Sequence, residues 1–243
     1  MATSYNLIHD KIGDDISFIQ VEPSAGGDLP LVIVLHGLRS IKENYLETSY
    51  RLAQRGFRAV TMDLRMHGER EFADIRDASL ESSYVQTMLG IIEKSVGDVA
   101  AVVSHFGAKK AAIHGISLGG VISFAALLAD PRIQVAAVAM GTPDWGGMLE
   151  MMGLTRAHPM FDTIDAMSPL SRASAIATRP LLMLHGDVDE TVPIDGVRKL
   201  RQKLEPLYQE RAELLELVEY EGHGHHYTGD MINRSVSWVE RYL

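Results

Sequence analysis

The sequence predicts an α/β fold in which helices cover both faces of a mostly parallel central sheet. Strand-like and helix-like patterns alternate along most of the 243 residues, which is typical of that class. Residues 31–35 form an uninterrupted apolar run, as expected of a strand that is buried on both faces of a parallel sheet. Residues 111–120 place another apolar strand, a tight turn at Ser117 and the start of an apolar helix in direct succession.

The other strands are predicted from short apolar or alternating segments that are bounded by turn residues. The first two of them are separated by a turn at residues 13–15, so we expect an N-terminal hairpin. In chain order these predicted strands cover residues 4–10, 15–22, 57–64, 135–140, 181–184 and 213–220.

Helices are predicted where apolar residues recur at three- and four-residue steps. Leu46, Tyr50 and Ala53 share one face of a helix that stops at Gly56, and the longest such pattern runs from residue 85 to 106. The other predicted helices cover residues 121–128, 194–208 and 232–243.

No strand is predicted between residues 142 and 179, and we expect this segment to form a small helical cap over a binding pocket. Trp145, Met148, Leu149 and Met152 fall on one helical face there. Trp145, Met148 and Met152 are candidate substrate-binding residues, because a methionine-rich apolar surface adapts readily to an acyl chain. The alternative, that this face packs against the body of the protein, stays open.

Composition and charge favour a single domain over residues 1–243 and exclude several kinds of partner. The chain is 46% hydrophobic and carries a net charge of −9 without a basic stripe, so we expect no nucleic-acid or membrane partner. It has no cysteine, which excludes disulfides and thiolate chemistry. We see neither a signal-peptide pattern nor an apolar run of membrane-spanning length, so we expect a cytoplasmic protein. Whether it is a monomer or a homodimer stays open.

The segment G-I-S-L-G at residues 115–119 carries the strongest chemical signal. A serine at so tight a turn presents its hydroxyl clear of the backbone, and the flanking glycines leave room for the crossing strand and helix. To act as a nucleophile, the serine needs a general base, and the base needs a carboxylate that orients it. Such residues collect beyond the carboxyl ends of parallel strands. The loops there supply, in the order serine, acid and base, Ser117, then Asp187 or Asp189, then His223, His225 or His226.

Several further motifs extend this pattern. The chain resembles the α/β-hydrolases, in particular small bacterial carboxylesterases of the dienelactone-hydrolase and prolyl-oligopeptidase-like kind. The resemblance covers about residues 30–243 and rests on H-G-L, D-L-R-M-H-G, G-I-S-L-G-G, H-G-D-V-D-E-T-V-P and Y-E-G-H-G-H. It implies the α/β-hydrolase fold. One motif departs, since residues 65–68 read R-M-H-G where many relatives have R-G-H-G.

The resemblance also implies roles for individual residues. Ser117 is the nucleophile, Asp189 is the acid because the family's acid precedes x-x-V-P, and His225 is the base because it lies three residues after the glycine of Y-x-G. A tetrahedral intermediate needs two preorganised donors for its oxyanion. We expect these to be the backbone N–H groups of Leu38 and Leu118, the latter at a helix N-terminus.

These assignments predict a serine hydrolase that cleaves small carboxylic esters through an acyl-enzyme, with short to medium acyl chains because the cap is small. The alternatives are a thioesterase or amidase with the same triad, or a non-catalytic ligand-binding protein of this fold. No cofactor is implied. The histidines at 223, 225 and 226 could instead bind a metal, but no second set of ligands at metal spacing accompanies them. The histidines at 36, 67 and 114 are expected to be structural.

Overall fold

An eight-stranded sheet runs through the centre of the computed structural model, which describes residues 4–70 and 81–243. Its strands follow the order β1-β2-β4-β3-β5-β6-β7-β8; the first two pairings are antiparallel and the others parallel. The mostly parallel sheet and the N-terminal hairpin are therefore confirmed. The strands are β1 (Tyr5–Ile12), β2 (Ile16–Pro23), β3 (Leu31–Leu35), β4 (Arg58–Met62), β5 (Ala111–Ile116), β6 (Ile133–Ala139), β7 (Leu181–Gly186) and β8 (Leu215–Tyr220).

Helices cover both faces of this sheet. They are α1 (Leu46–Ala53), α2 (Glu81–His105), α3 (Leu118–Ala129), α4 (Trp145–Met151), α5 (Phe161–Met167), α6 (Asp195–Leu204) and α7 (Gly229–Tyr242). Short 3-10 turns lie at Lys42–Tyr45, Ala173–Ala175, Glu205–Leu207 and Gln209–Leu214. Within the described part of the chain, none of the helices has the length and apolar character needed to cross a membrane.

The central strand β3 explains how the two faces are filled. Successive side chains of a strand point to opposite faces. Leu31, Ile33 and Leu35 accordingly join the core beneath α2 and α3, whereas Val32 and Val34 join the core beneath α1 and α7. All five are at most 1% exposed, as the apolar run predicted. Burying each such side chain contributes about 1.5–3 kcal/mol.

Some predicted element boundaries and faces were wrong. The helix predicted for residues 194–208 ends at Leu204, because Pro206 has no N–H to donate and its ring obstructs the preceding turn. The last strand begins at Leu215, two residues late, after a 3-10 turn. Tyr50 does not face the core: it is 43% exposed and packs edge-on against Tyr5 of the hairpin, with ring centroids 4.8 Å apart.

Candidate active site

The turn between β5 and α3 places Ser117 at the carboxyl edge of the sheet. Ser117 has φ 54° and ψ −116°, a conformation that costs an L-residue about 1–2 kcal/mol. A Cβ at Gly115 would lie 2.1 Å from the carbonyl oxygen of Gly119, and a Cβ at Gly119 would lie 2.4 Å from that of Leu35. Only glycine fits at both positions, so the close packing of strand and helix holds the strained serine in place.

A continuous hydrogen-bond chain joins Ser117 to a histidine and an acid. Nδ1 of His225 lies 2.7 Å from Oδ2 of Asp189, and Nε2 of His225 lies 2.9 Å from Oγ of Ser117. Because a carboxylate oxygen accepts, His225 donates from Nδ1 and can accept the serine proton at Nε2. Asp189 has a fully buried side chain, and its Oδ1 accepts from the amides of Thr191 and Val192 at 2.9 Å each.

The alternative acids and bases lie in other arrangements. Oδ1 of Asp187 accepts from the amide of Gly222 at 2.7 Å and so holds the two loops together. Nδ1 of His223 donates to the carbonyl of Glu221, and the side chain of His226 is exposed. The structure therefore brings Ser117, Asp189 and His225 together. Among the residues that it describes, no group of three or more His, Asp or Glu side chains is arranged to hold a metal ion.

The loop after β3 passes directly beside Ser117. A Cβ at Gly37 would lie 3.4 Å from Cβ of Ser117, and Leu38 borders the same cavity as Ser117 and Leu118. The amide of Leu118 lies at the first residue of α3, where no intrahelical acceptor exists. Within residues 4–70 and 81–243, the amide of Leu38 donates a hydrogen bond to no other group. Two backbone donors that have no acceptor among the described residues therefore belong to residues bordering the cavity beside Ser117.

Two buried histidines hold the loop after β3 in this position. His36 donates from Nδ1 to the carbonyl of Gly37 at 2.8 Å and accepts from the amide of Leu64 at 3.0 Å, and burial lowers its pKa to about 4. His67 accepts at Nε2 from the amide of Arg39 at 3.1 Å, and burial lowers its pKa as well. Both rings are thus neutral and structural, as we expected.

The departing motif R-M-H-G is accommodated by backbone strain. Met66 adopts φ 59°, the left-handed conformation that a glycine takes without steric cost. The loop is held by Asp63, whose buried carboxylate accepts from Nζ of Lys42 at 2.7 Å and from the amide of Glu69 at 3.1 Å. Burial opposes the charge of Asp63, but these hydrogen bonds outweigh it and hold the pKa of the carboxyl below its usual value.

A cavity of about 580 Å³ opens beside Ser117 and His225. Its apolar wall comes from α2, α3, α4 and the adjoining loops, through Leu38, Tyr84, Met88, Leu118, Val121, Met148, Met151, Met152, Val192 and Pro193. Met148 and Met152, two of the three predicted substrate-binding residues, border this cavity. Trp145 does not line the cavity, which corrects that expectation.

The face of α4 that borders the cavity differs from the predicted one. It carries Asp144, Met148 and Met151, spaced by three and four residues, whereas Trp145 and Leu149 lie on the neighbouring stripe and are buried in the core. Asp144, the capping residue, marks the cavity side of the helix, but it is polar and was not part of the predicted apolar face. The exposed Met151, which lies on the same side as Asp144, was therefore missed.

Comparisons with known proteins identify the family of this chain. A model of the dienelactone hydrolase family matches residues 17–237. The chain belongs to the dienelactone hydrolase family. It is therefore a hydrolase.

Several known proteins are similar to this chain over nearly its whole length. YitV of Bacillus subtilis (strain 168) is 27% identical, over 97% of this chain and 99% of its own length. Esterase YjfP of Escherichia coli (strain K12) is 25% identical, over 94% of this chain and 96% of its own. The crystal structure of TT1662 from Thermus thermophilus is 25% identical, with a TM-score of 0.76 over 97% of this chain and 98% of that one. The predicted α/β-hydrolase fold is confirmed.

In this dienelactone hydrolase family member, an ion pair connects two helices at the cavity wall. Oδ1 of Asp144 accepts from the amide of Gly147 and so caps α4, and Oδ2 accepts from Nζ of Lys199 on α6 at 2.8 Å. Partial burial opposes the charge of Asp144, but Lys199 outweighs it and lowers the pKa of the carboxyl. Sequence reasoning missed this pair, because its members lie 55 residues apart.

Proposed function

We propose that this hydrolase is a serine carboxylesterase acting on small esters with short to medium acyl groups. The observation that carries the proposal is the unbroken hydrogen-bond chain from Ser117 through His225 to Asp189 at the edge of an apolar cavity. The relationship to esterase YjfP supports the ester class.

In the proposed mechanism, Oγ of Ser117 attacks the ester carbonyl carbon while Nε2 of His225 takes the hydroxyl proton. The tetrahedral intermediate collapses as His225 returns that proton to the leaving alkoxide oxygen, which leaves an acyl group on Ser117. A water molecule then gives a proton to His225 and attacks the acyl carbon. The second intermediate releases the acid as Ser117 regains its proton. Asp189 orients the imidazole and stabilises its charged form throughout.

The amides of Leu38 and Leu118 are proposed to donate to the oxyanion of both intermediates. They border the cavity beside Ser117, and the N-terminus of α3 adds its positive dipole to the same position. Losing one such donor costs about 3–4 kcal/mol of transition-state stabilisation in comparable sites. The backbone strain at Ser117 supports this role, since in such strand-to-helix turns the amide of the residue after the nucleophile, here Leu118, is an oxyanion donor.

We further propose that residues 1–243 form one domain in which residues 142–179 act as a small cap over the acyl pocket. Met148, Met151 and Met152 border the cavity from this segment. Phe161 and Ile164, in contrast, are buried in the core, so only part of the segment is available to an acyl chain. A cavity of about 580 Å³ lies within the usual range for small-molecule sites and favours short to medium chains.

Hydrolysis of p-nitrophenyl esters from acetyl to palmitoyl tests the proposal, with the wild type beside Ser117→Ala. We expect kcat/KM to be highest at short or medium chains and activity to disappear in the variant. Activity that survives the substitution would refute the nucleophile, and highest kcat/KM on palmitoyl esters would refute the chain-length assignment. If folded wild type cleaves no ester, thioester and amide panels come next. A failure of Ser117 to react with a fluorophosphonate would then favour a ligand-binding protein.

Neighbouring residues of the same type supply matched controls for the acid and the base. Asp189→Asn should reduce kcat by about 10⁴-fold, because the histidine would be held in the wrong tautomer, whereas Asp187→Asn should leave kcat within a few-fold. His225→Gln should abolish turnover, and His226→Gln should not. Equal effects within either pair would contradict the proposed roles.

A further inference from the structure

A second hydrogen-bond chain lies behind the proposed triad and joins the histidine loop to the serine strand. Tyr227 follows His225 by two residues, and His114 precedes Ser117 by three residues on β5. The hydroxyl oxygen of Tyr227 lies 2.6 Å from Nε2 of His114, although the two residues are 113 positions apart in sequence. His114 is buried and Tyr227 is half-buried, so the contact is largely shielded from water.

The direction of each proton in this chain follows from its partners. Nδ1 of His114 lies 2.8 Å from the carbonyl oxygen of Ala137, and a carbonyl can only accept, so Nδ1 carries the proton. Burial lowers the pKa of His114 to about 4, which keeps the ring neutral and leaves Nε2 as an acceptor. Tyr227 therefore donates to His114, and Thr48, 3.4 Å away, donates to the oxygen of Tyr227.

His225 lies between His223 and Tyr227, each two residues away from it. Each of these two residues forms a hydrogen bond to the element that carries one of the triad partners. On one side, the carbonyl of His223 accepts from the amide of Val188 in the acid loop at 3.2 Å. On the other side, Tyr227 donates to His114 on the serine strand. An imidazole fixed at both ends of its loop has little freedom to move its Nε2 away from the serine oxygen.

The ring of Tyr227 also contacts the neighbourhood of the oxyanion loop. It lies 6.2 Å from the ring of Tyr45, centroid to centroid. The hydroxyl of Tyr45 accepts from the amide of Gly37 at 3.3 Å, one residue before Leu38. Removing the Tyr227 hydroxyl while keeping its ring would thus leave this packing in place and remove only the hydrogen bonds to His114 and Thr48.

We propose that the hydroxyl of Tyr227 is a positioning group that fixes His225 relative to Ser117 through its hydrogen bond to His114. The inference rests on the proposed function, because it assigns Tyr227 to the same site. Tyr227 does not line the cavity beside Ser117. Its effect is expected in the chemical steps, through the geometry of proton transfer, rather than in substrate binding.

Tyr227→Phe tests the proposal, with Tyr220→Phe as the matched control. The hydroxyl of Tyr220 donates to Asp230 at 2.9 Å, just before the same loop but outside the chain that leads to His114. We expect Tyr227→Phe to lower kcat by about 10- to 100-fold with KM within twofold, because displacements near 1 Å cost this much in rate. Tyr220→Phe should leave both constants within twofold. A kcat of Tyr227→Phe within twofold of the wild type would overturn the proposal.

Two substitutions of His114 distinguish a role in positioning His225 from a simple loss of packing. They also test the proposal if Tyr227→Phe does not fold. The oxygen of His114→Gln reaches the position of Nε2 and can accept from Tyr227, whereas His114→Asn reaches only the position of Nδ1. We expect the glutamine variant to retain most of the wild-type kcat and the asparagine variant to match Tyr227→Phe. Equal kcat losses in the two variants, at similar melting temperatures, would overturn the proposal.

Ser117→Ala distinguishes a failure of this inference from a failure of the proposed function. If that variant is inactive and Tyr227→Phe behaves as the wild type, only the positioning role is wrong. If Ser117→Ala remains active, the site itself is wrong, and the role of Tyr227 fails with it.

Discussion

The packing at the serine turn leads to a quantitative prediction for Gly119→Ala. The new Cβ would lie 2.4 Å from the carbonyl oxygen of Leu35 and 2.6 Å from that of His36, about 1 Å closer than the 3.4 Å at which ordinary contact begins. Both atoms belong to the backbone at the end of β3, so α3 and the loop that carries Leu38 must move apart. Overpacking of this kind costs about 1–3 kcal/mol, and a displacement near 1 Å costs about 10²-fold in rate.

Gly97→Ala in α2 supplies the matched control. Gly97 is exposed, and a Cβ there would meet no atom within 4 Å, so alanine should stabilise the helix by about 0.8–1.0 kcal/mol. Urea denaturation gives the free energy of unfolding of both variants, and ester hydrolysis gives kcat/KM. We expect Gly119→Ala to lose stability and about 10²-fold in kcat/KM at a temperature where it is fully folded, and Gly97→Ala to keep full activity. A Gly119→Ala protein as stable and as active as the wild type would refute the reasoning.

Three further predictions concern buried charges and the cavity wall. Lys42→Met should cost about 3–5 kcal/mol in urea denaturation, because the fully buried Asp63 loses its cation at 2.7 Å; a loss below about 1 kcal/mol would contradict this. The pKa values of His36 and His114 are lowered from 6.5 to about 4, so the unfolded chain binds protons that the folded protein does not. Stability should therefore be complete above pH 6.5 and fall toward pH 4 by up to about 1.4 kcal/mol per pH unit for each histidine; equal urea midpoints at pH 7 and pH 5 would exclude this. Lys199→Gln should raise KM less than about fivefold with kcat unchanged, since the Lys199 side chain is 57% exposed and solvent screens its pair with the buried Asp144; a lowered kcat in steady-state assays would oppose this.

The sequence predicted the strands that are buried on both faces more accurately than the ends of the helices. At residues 31–35 every side chain must be apolar, so the pattern has no ambiguous position and the strand was predicted with both ends correct. The helix at 194–208 was predicted too long because its apolar spacing continues past Leu204, although Pro206 cannot continue the hydrogen bonds. Periodicity reports which face of a helix is apolar, and it is less informative about where the helix stops.

The candidate site was predictable to a similar, limited extent. The motif G-I-S-L-G located Ser117, because its glycines are required by contacts that the motif itself creates. Spacing alone could not choose between Asp187 and Asp189, since both follow the same strand and differ only in which way the loop turns them. The resemblance to a known family supplied that choice. The structure places Asp189 against His225, and it gives Asp187 a partner in the next loop.

Tyr227 illustrates what no local pattern could supply. A tyrosine two residues after a histidine has no distinctive spacing, and its partner is a strand histidine that itself looked merely structural. The hydrogen bonds that hold the site together join residues 36, 108 and 113 positions apart, so each exists only when β5, β7 and the loop before α7 are assembled. The strained serine turn and the buried neutral histidines each cost free energy, and the same long-range packing offsets both. A sequence therefore identifies the reacting groups of such a site more readily than the residues that fix the distances between them.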